Sequence, residues 1–217
     1  MYWDSQYKQD NQIWGTEPSV LARFASAYLK KIGLTEKNSN VIDLGCGYGR
    51  DAIFMAQYIP FSILGIDRSR EAIRLATESC GGKYVGKVFF EQADILEFQA
   101  EKKFDVVMSS NTYHLLKPEE RVKFRGQIKA LLNPGGHFLM STMSVKDPQH
   151  GGKGDPVPDD ANSYLERIYL HMCTEEELTR DFSFLSIRKL YEHEFEETRS
   201  DGQIHHHVFW LLAGQYA

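Results

Sequence analysis

Short apolar runs alternate with helix-patterned segments along most of the 217 residues, and this alternation limits the fold more than any other feature. Buried strands are predicted at 41–44, 61–66, 88–90, 104–108 and 137–141. Strands separated by helices form a parallel sheet with right-handed crossovers. Two longer strand-like runs, 184–195 and 203–213, flank an Asp-Gly step that favours an antiparallel hairpin. The pattern therefore predicts an α/β fold: a doubly wound sheet of seven strands, mostly parallel, with a C-terminal antiparallel hairpin.

Capping residues predict where three of the helices begin. Thr16 is a candidate N-cap for the first long helix, with Pro18 in its first turn. Ser69 is placed to cap a helix that runs to about residue 80. Thr174 and Glu177 form a capping-box pattern for a short helix near the C-terminus.

Length and composition fit a single domain over residues 1–217. With 42% hydrophobic residues, the chain has enough apolar side chains to bury a sizeable core. Residues 144–161 are rich in Gly, Pro and Asp, and a connection this long is typical of a flexible loop or lid. Because this segment follows the fifth strand, we expect it to cover a ligand site at the carboxyl end of that strand.

Charge and cysteine content indicate which partners and which compartment to expect. The formal net charge of −5 leaves no basic excess, so we expect no nucleic-acid partner. No apolar run approaches the length that spans a bilayer, so we expect no membrane partner. Three widely spaced cysteines and a polar N-terminus predict a cytoplasmic protein without disulfides. We expect it to be a monomer or a homodimer.

The stretch VIDLGCGYGRD, residues 41–51, places three glycines directly after the first strand. Such a turn fits a tight strand-to-helix connection as well as a ligand site. Asp67 lies at the tip of the second strand, where doubly wound sheets hold a ribose diol, although it also fits a helix cap. The two features together predict a ligand that contains adenosine, either NAD or S-adenosylmethionine.

Details of the glycine turn favour the second of these cofactors. Arg50 stands where a dinucleotide-binding turn has its third glycine. Asp43 would repel a pyrophosphate, whereas its charge attracts a ligand that carries an ammonium and a sulfonium. Asp94, just past the third strand, is placed either to accept a hydrogen bond from an adenine amino group or to cap the following turn.

The motifs DLGCGYG (43–49), Asp67, Ala93-Asp94 and LNPGGHF (132–138) resemble, in this order, those of class I S-adenosylmethionine-dependent methyltransferases. That superfamily has a Rossmann-like sheet that ends in an antiparallel hairpin, and the resemblance runs from about residue 39 to 142. It implies that the three glycines line the methionine part, that Asp67 holds the ribose and that Asp94 meets the adenine. The implied cofactor-binding residues are Asp43, Gly45, Cys46, Gly47, Gly49, Asp67, Arg68, Asp94, Ile95, Ser110 and Asn111.

Residues 1–17 are rich in aromatic side chains, in Tyr2-Trp3-Asp4, Tyr7 and Ile13-Trp14-Gly15. They are similar to the aromatic-rich segments of methyltransferases of the tellurite-resistance and thiol-modifying types. Packing on the domain also explains Trp3 and Trp14. We expect a packed N-terminal segment to cover the cofactor.

The acceptor side is predicted after the fourth strand, where no Asn-Pro-Pro-Tyr element stands, and this disfavours amide and adenine amino acceptors. The resemblance implies that Asn111 lies near the transferable methyl. His114 is the leading candidate for a general base, although a loop histidine bonded to backbone is the slightly favoured interpretation. The predicted acceptor pocket consists of Trp14, Tyr113, His114, His171 and Cys173, and core filling is the alternative for the last two.

The run His205-His206-His207 lies in a strand-like segment, so alternation places His205 and His207 on one face and His206 on the other. No Cys/His spacing typical of a metal site occurs in the sequence, and we expect no metal.

The sequence thus predicts S-adenosylmethionine-dependent methyl transfer to a small-molecule acceptor, with transfer to O, N, S or C left open. Two alternatives remain: an NAD(P)-dependent oxidoreductase, which the glycine spacing opposes, and a non-catalytic regulatory protein that binds S-adenosylmethionine.

Overall fold

The computed structural model describes residues 2–34, 39–58, 60–82, 84, 86–198 and 202–217. Its helices are α1 (Tyr2–Gln9), α2 (Val20–Lys31), α3 (Arg50–Tyr58), α4 (Arg70–Cys80), α5 (Pro118–Leu131) and α6 (Glu175–Asp181), with a 3-10 turn at Tyr113–Leu115. Its strands are β1 (Asn40–Leu44), β2 (Ser62–Asp67), β3 (Val88–Gln92), β4 (Phe104–Ser110), β5 (Leu132–Met143), β6 (Asp155–Pro156), β7 (Ser163–Leu165), β8 (Tyr169–His171), β9 (Leu185–Thr198) and β10 (Ile204–Tyr216).

Seven of these strands form the main sheet, in the order β3-β2-β1-β4-β5-β10-β9. The first five strands pair in parallel, and β10 pairs antiparallel with both β5 and β9. The predicted fold class is therefore confirmed, including the Rossmann-like order and the C-terminal hairpin. The chain reverses its direction of winding between β1 and β4, so the carboxyl ends of these strands flank the crevice in which such sheets bind ligands.

The hairpin strands are longer than predicted, and a second sheet was not foreseen. The pairing of β9 with β10 runs from Thr198 opposite Ile204 to Leu185 opposite Tyr216. Residues 200 and 201 of the predicted turn lie outside the described residues. Strands β6, β7 and β8 form a small antiparallel sheet, and β6 arises inside the segment 144–161. Strands of two or three residues are too short to show a periodic pattern, which is why the sequence did not predict them.

Two of the three predicted helix caps are confirmed. Ser69 and Thr174 accept hydrogen bonds from backbone N–H groups in the first turns of α4 and α6. The predicted cap at Thr16 is wrong, because α2 begins three residues later and Ser19 caps it. The carboxylate of Asp51, in the first turn of α3, accepts hydrogen bonds from the backbone N–H (2.8 Å) and the hydroxyl (2.5 Å) of Ser19. This cap therefore also joins the starts of α2 and α3.

Helices cover both faces of the main sheet. Alternating strand residues supply the two cores: Val41 packs with α2 and α3, whereas Ile42 packs with α5 and α6. No helix of the described residues has both the length and the apolar character that crossing a bilayer requires.

Candidate functional site

A cavity lies at the carboxyl ends of β1, β2 and β4, where the topology predicts a ligand site. Its lining contains every predicted cofactor-binding residue except Gly49: Asp43, Gly45, Cys46, Gly47, Asp67, Arg68, Asp94, Ile95, Ser110 and Asn111. Four separate stretches of the sequence thus meet at one place.

Asp43, in β1, carries a buried carboxylate on this cavity wall. Neither of its oxygens has a hydrogen-bond partner among the described residues. Burial, and then the charges of Asp51 and Asp67, raise the pKa of Asp43 well above its ordinary value. A buried carboxylate without a partner is unfavourable, so this position suits a ligand that brings a cationic group.

At two glycines of the turn, a side chain would clash with a neighbouring residue. Gly45 has φ +80°, and a β-carbon there would lie 2.4 Å from Thr112 Oγ1. Gly47 has φ +54°, and a β-carbon there would lie 2.8 Å from Tyr7 Oη. Both the backbone angles and the close neighbours require glycine, and both residues line the cavity.

Gly49 lies in different surroundings from the other two glycines of the turn. It is absent from the cavity lining, and a β-carbon on it would lie 2.6 Å from the Phe90 ring and 2.9 Å from Cβ of Ala76. Its small size lets the start of α3 pack closely against β3 and α4. The geometry thus gives Gly49 a packing role rather than a place beside the methionine part of a cofactor.

Asp67 joins the glycine turn to the next strand. Its Oδ2 accepts a hydrogen bond from the N–H of Gly47 (3.0 Å), and its Oδ1 accepts one from the N–H of Ser69 (2.8 Å). Burial raises the pKa of Asp67, and these backbone hydrogen bonds partly oppose that effect. Asp94 is exposed and accepts from the N–H of Leu96 (2.9 Å), so it caps the following turn while it also lines the cavity.

A chain of side-chain hydrogen bonds fixes the residues after β4. The hydroxyl of Ser110 lies 3.2 Å from that of Ser19 and 3.3 Å from that of Ser141. Ser141 in turn donates to Asn111 Oδ1 (3.0 Å). Asn111 has φ +57°, a left-handed conformation that asparagine tolerates better than most residues. Its amide is therefore held at the cavity wall by both backbone and side chain.

The N-terminal segment forms another wall of the cavity. Trp3, Tyr7 and Trp14 line it, and their rings contact one another. The Tyr48 hydroxyl donates to the carbonyl of Gly15 (2.7 Å), which attaches the segment to the glycine turn.

Sequence reasoning missed three of the charged residues on the cavity wall, Arg50, Asp51 and Glu120. Five carboxylates and two guanidinium groups line the cavity: Asp43, Asp51, Asp67, Asp94, Glu120, Arg50 and Arg68. Asp51 follows the glycine turn in the first turn of α3, and that position was the signal available in the sequence. Since acids outnumber bases on the wall, the site favours a ligand with positive charge.

Of the predicted acceptor-pocket residues, Trp14 lines the cavity and Tyr113 and His114 do not. Tyr113 is fully buried and donates to Asp181 (2.7 Å). His114 is buried against the ring of Phe209, and burial lowers its pKa to about 3. A base this weak is poorly matched to proton abstraction near neutral pH, so the placement does not support His114 as a general base.

His171 and Cys173 also lie outside the cavity lining, in a buried group with Glu177. The histidine run alternates as predicted: His207 is buried, whereas the side chain of His206 is 64% exposed. His207 Nδ1 lies 3.0 Å from Oδ2 of Asp147, which anchors the start of the segment 144–161 to β10.

Comparison with known proteins adds to this geometry. Residues 35–199 match the model of a family described as a methyltransferase domain. The chain is 25% identical over 158 residues to EEF1A lysine methyltransferase 2 of Danio rerio, an alignment that covers 65% of this chain and 66% of that protein. It is 24% identical over 140 residues to 2-heptyl-1-hydroxyquinolin-4(1H)-one methyltransferase of Mycobacteroides abscessus, covering 63% and 61%. The chain thus spans less than two thirds of either relative.

A solved structure with a similar fold is the N-methyltransferase NodS of Bradyrhizobium japonicum WM9, in complex with S-adenosyl-L-homocysteine. The two chains superpose with a TM-score of 0.70 at 16% identity, over 98% of this chain and 96% of NodS.

Proposed function

This chain belongs to the methyltransferase domain family, within the class I S-adenosylmethionine-dependent superfamily that its motifs resemble, and we propose that it transfers a methyl group from S-adenosylmethionine to a small-molecule acceptor. Membership of this family favours methyl transfer over the two alternatives, an NAD(P)-dependent oxidoreductase and a non-catalytic regulatory protein that binds S-adenosylmethionine. S-adenosylmethionine supplies a methyl group that its positively charged sulfur has already activated for displacement.

The observation that carries the proposal is the buried, unpartnered carboxylate of Asp43 in an acidic cavity. S-adenosylmethionine brings an ammonium and a sulfonium, and either charge offsets the burial of this carboxylate. A dinucleotide would bring a negatively charged pyrophosphate to the same wall. The residues present therefore fit the first cofactor.

Each wall residue has a proposed role in binding. Asp43 pairs with the ammonium, and Gly45 and Gly47 let the methionine part approach the backbone. Asp67 holds the ribose hydroxyls, because a carboxylate that accepts two backbone hydrogen bonds retains acceptor capacity on both oxygens. Asp94 meets the adenine amino group with the acceptor capacity that its turn hydrogen bond leaves. Arg68 and the other lining residues complete the wall.

We place the acceptor beside Ser110, Asn111 and Trp14. Asn111 orients the acceptor through its fixed amide, and the N-terminal segment excludes water; positioning of this kind can supply most of the acceleration of a displacement. The aromatic wall of residues 1–17 restricts access, which supports a small acceptor over a macromolecule. We propose no general base, since His114 is buried and weakly basic.

The segment 144–161 is proposed as a lid over the acceptor. Its two ends are held, by Asp147 and by β6, while the glycines at 151, 152 and 154 lie between these anchors. We also propose a cytoplasmic location, in keeping with three cysteines that are all free and buried.

A turnover assay tests the proposal. The purified chain is incubated with S-adenosylmethionine and a panel of small hydroxyl, amine, thiol and carbon nucleophiles, and S-adenosylhomocysteine is quantified. We expect acceptor-dependent S-adenosylhomocysteine formation that the Asp67→Ala variant reduces. Tight cofactor binding with no turnover on any acceptor class would favour the regulatory alternative instead.

A further inference from the structure

The side chains of His171, Cys173 and Glu177 meet outside the cofactor cavity. One potential metal-ligand atom from each lies within 4.8 Å of the others, and in the part of the chain that the structure describes this is the one group of three His, Cys, Asp or Glu side chains that does so. His171 and Cys173 are buried, and Glu177 is half-buried. None of the three has a place in the proposed methyl transfer.

The backbone holds these three side chains in fixed positions. His171 ends β8, which pairs with β7. Cys173 donates its N–H to the carbonyl of Met143 (2.9 Å), and its own carbonyl accepts from the indole N–H of Trp210 (2.9 Å). Thr174 caps α6 and thereby sets Glu177 in the first turn of that helix. A preset arrangement of this kind is what a metal site requires.

Hydrogen bonds also fix which nitrogen of His171 faces the group. Nδ1 lies 2.8 Å from the hydroxyl of Ser163, and that hydroxyl donates to Asp160 Oδ2 (2.7 Å). A hydroxyl has one proton, and a carboxylate is the stronger acceptor, so we assign the Ser163 proton to Asp160 and take Nδ1–H of His171 as the donor to Ser163. Nε2 then points at Glu177 Oε1, 2.9 Å away. A cation has to lie between these two acceptors, either a proton or a metal ion.

We propose that His171 Nε2, Cys173 Sγ and the Glu177 carboxylate bind a divalent transition-metal ion, and that Zn²⁺ is the ion this mixed N, S and O set favours. The hydrogen bond from His171 to Ser163 is the outer-shell contact that orients metal-binding histidines. Tetrahedral zinc places its ligand atoms about 3.3–3.8 Å apart, so shifts of under about 1 Å convert the group into a site.

Metal binding has a defined proton balance. The thiol of Cys173 loses its proton to solvent, and so does any proton shared by His171 and Glu177. Three protein ligands leave one coordination position for solvent. The hydroxyl of Thr142, 3.6 Å from Sγ, can hydrogen-bond to the thiolate.

The bound ion would link three parts of the fold: β8, Cys173, whose N–H donates to the last residue of β5, and α6. Cys173 forms a β-bridge with Ser144, two residues after Thr142. Thr142 in turn follows Ser141, whose hydroxyl donates to Asn111. We therefore assign the metal a structural role beside the acceptor wall. This role does not depend on the proposed methyl transfer.

Cobalt(II) titration of the EDTA-treated full-length chain tests the site, because a thiolate ligand gives Co²⁺ a charge-transfer absorption band. We expect one Co²⁺ per chain with that band, and displacement of Co²⁺ by Zn²⁺. The Cys173→Ser variant should lose the band and weaken Co²⁺ binding by about tenfold or more. Cys80→Ser, which alters another buried free cysteine, is the matched control and should retain both.

Two further measurements guard against a variant that fails to fold. Glu177→Gln should keep the thiolate band and bind Co²⁺ about tenfold more weakly. X-ray absorption of the zinc-loaded wild-type chain should find one sulfur among the ligands, at about 2.3 Å. A wild-type chain without the thiolate band, a band that survives in Cys173→Ser, or a zinc shell without sulfur would each overturn the proposal.

Discussion

Oδ1 of Asp4 accepts a hydrogen bond from the hydroxyl of Ser69 at 2.7 Å and a second from the N–H of Glu71 at 3.2 Å. These bonds tie α1 to the start of α4, two residues after Asp67. They hold the pKa of Asp4 below its ordinary value. The segment that covers the cavity and the residue proposed to hold the ribose therefore share one anchor.

The Asp4→Ala variant should loosen this cover. Loss of partly exposed hydrogen bonds of this kind costs about 0.5–1.5 kcal/mol, so S-adenosylhomocysteine should bind roughly two- to tenfold more weakly, and limited proteolysis should cut residues 1–17 faster. Glu17→Ala removes an exposed ion pair in the same segment and serves as the control. Unchanged proteolysis and affinity in Asp4→Ala would mean that this anchor does not hold the segment.

Asp67→Ala should weaken both S-adenosylmethionine and S-adenosylhomocysteine. Losing a charged hydrogen-bond partner costs about 1.5–3 kcal/mol, which corresponds to about one to two decades in affinity. Asp94→Ala, at an exposed position, should have a smaller effect. Calorimetry on the three proteins measures this, and equal affinities for wild type and Asp67→Ala would refute the assigned role.

Asp43→Asn should stabilise the ligand-free protein and weaken cofactor binding. The pKa of Asp43 is raised in the folded state above the value of 3.8 that applies to the unfolded chain. Its carboxyl group therefore stabilises the fold below pH 3.8, and this contribution is lost as the pH rises through the folded pKa. The variant should therefore exceed wild type in free energy of unfolding at about pH 7.5 and match it near pH 4. Urea unfolding at both pH values measures the difference.

The control for this experiment is Glu101→Gln, at an exposed position, which should change neither the free energy of unfolding nor cofactor binding. A difference between Asp43→Asn and wild type that is constant with pH would show that the pKa of Asp43 is the same in the folded and unfolded states, which would contradict the raised pKa.

Gly47→Ala and Gly49→Ala should separate binding from packing. Alanine at residue 47 meets only the end of the Tyr7 side chain, so the protein should fold while affinity for S-adenosylhomocysteine falls about tenfold or more. Alanine at residue 49 meets Phe90 and Ala76 and should lower the free energy of unfolding by about 1–3 kcal/mol. Thermal unfolding and calorimetry distinguish the two, and the reverse pattern would contradict the roles assigned here.

Hydrogen exchange tests the lid proposed at 144–161. Residues between the anchors at Asp147 and β6 should become protected when S-adenosylhomocysteine and an acceptor found by the turnover assay bind together. Peptides from α2, none of whose residues line the cavity, provide the internal reference. Exchange that is the same in every state would identify the segment as an ordinary surface loop.

The cofactor side could be predicted from the sequence because its residues follow strand ends directly. Asp43, Asp67 and Asp94 each lie at or just past the tip of a parallel strand, and the topology alone brings those tips together. The sequence could not separate Gly49 from the two glycines that line the cavity, because a glycine that packs and a glycine that lines a site look alike in sequence.

The acceptor side could not be predicted in the same way. Whether His114 faces a cavity or Phe209 depends on how the 3-10 turn packs, and nothing local to residues 113–115 determines that. His171 and Cys173 approach Glu177 only because β8 and α6 dock beside β5, so their spacing gave no metal pattern. Three-dimensional packing, rather than periodicity, decides these contacts.

The choice of cofactor is the central claim, and calorimetric titration of the purified wild-type chain tests it most directly. S-adenosylhomocysteine, S-adenosylmethionine and NAD are titrated separately under the same conditions. The acidic cavity and the unpartnered Asp43 predict one site per chain for each of the first two ligands and no heat of binding with NAD. Tight binding of NAD, with none of S-adenosylmethionine or S-adenosylhomocysteine, would contradict the account.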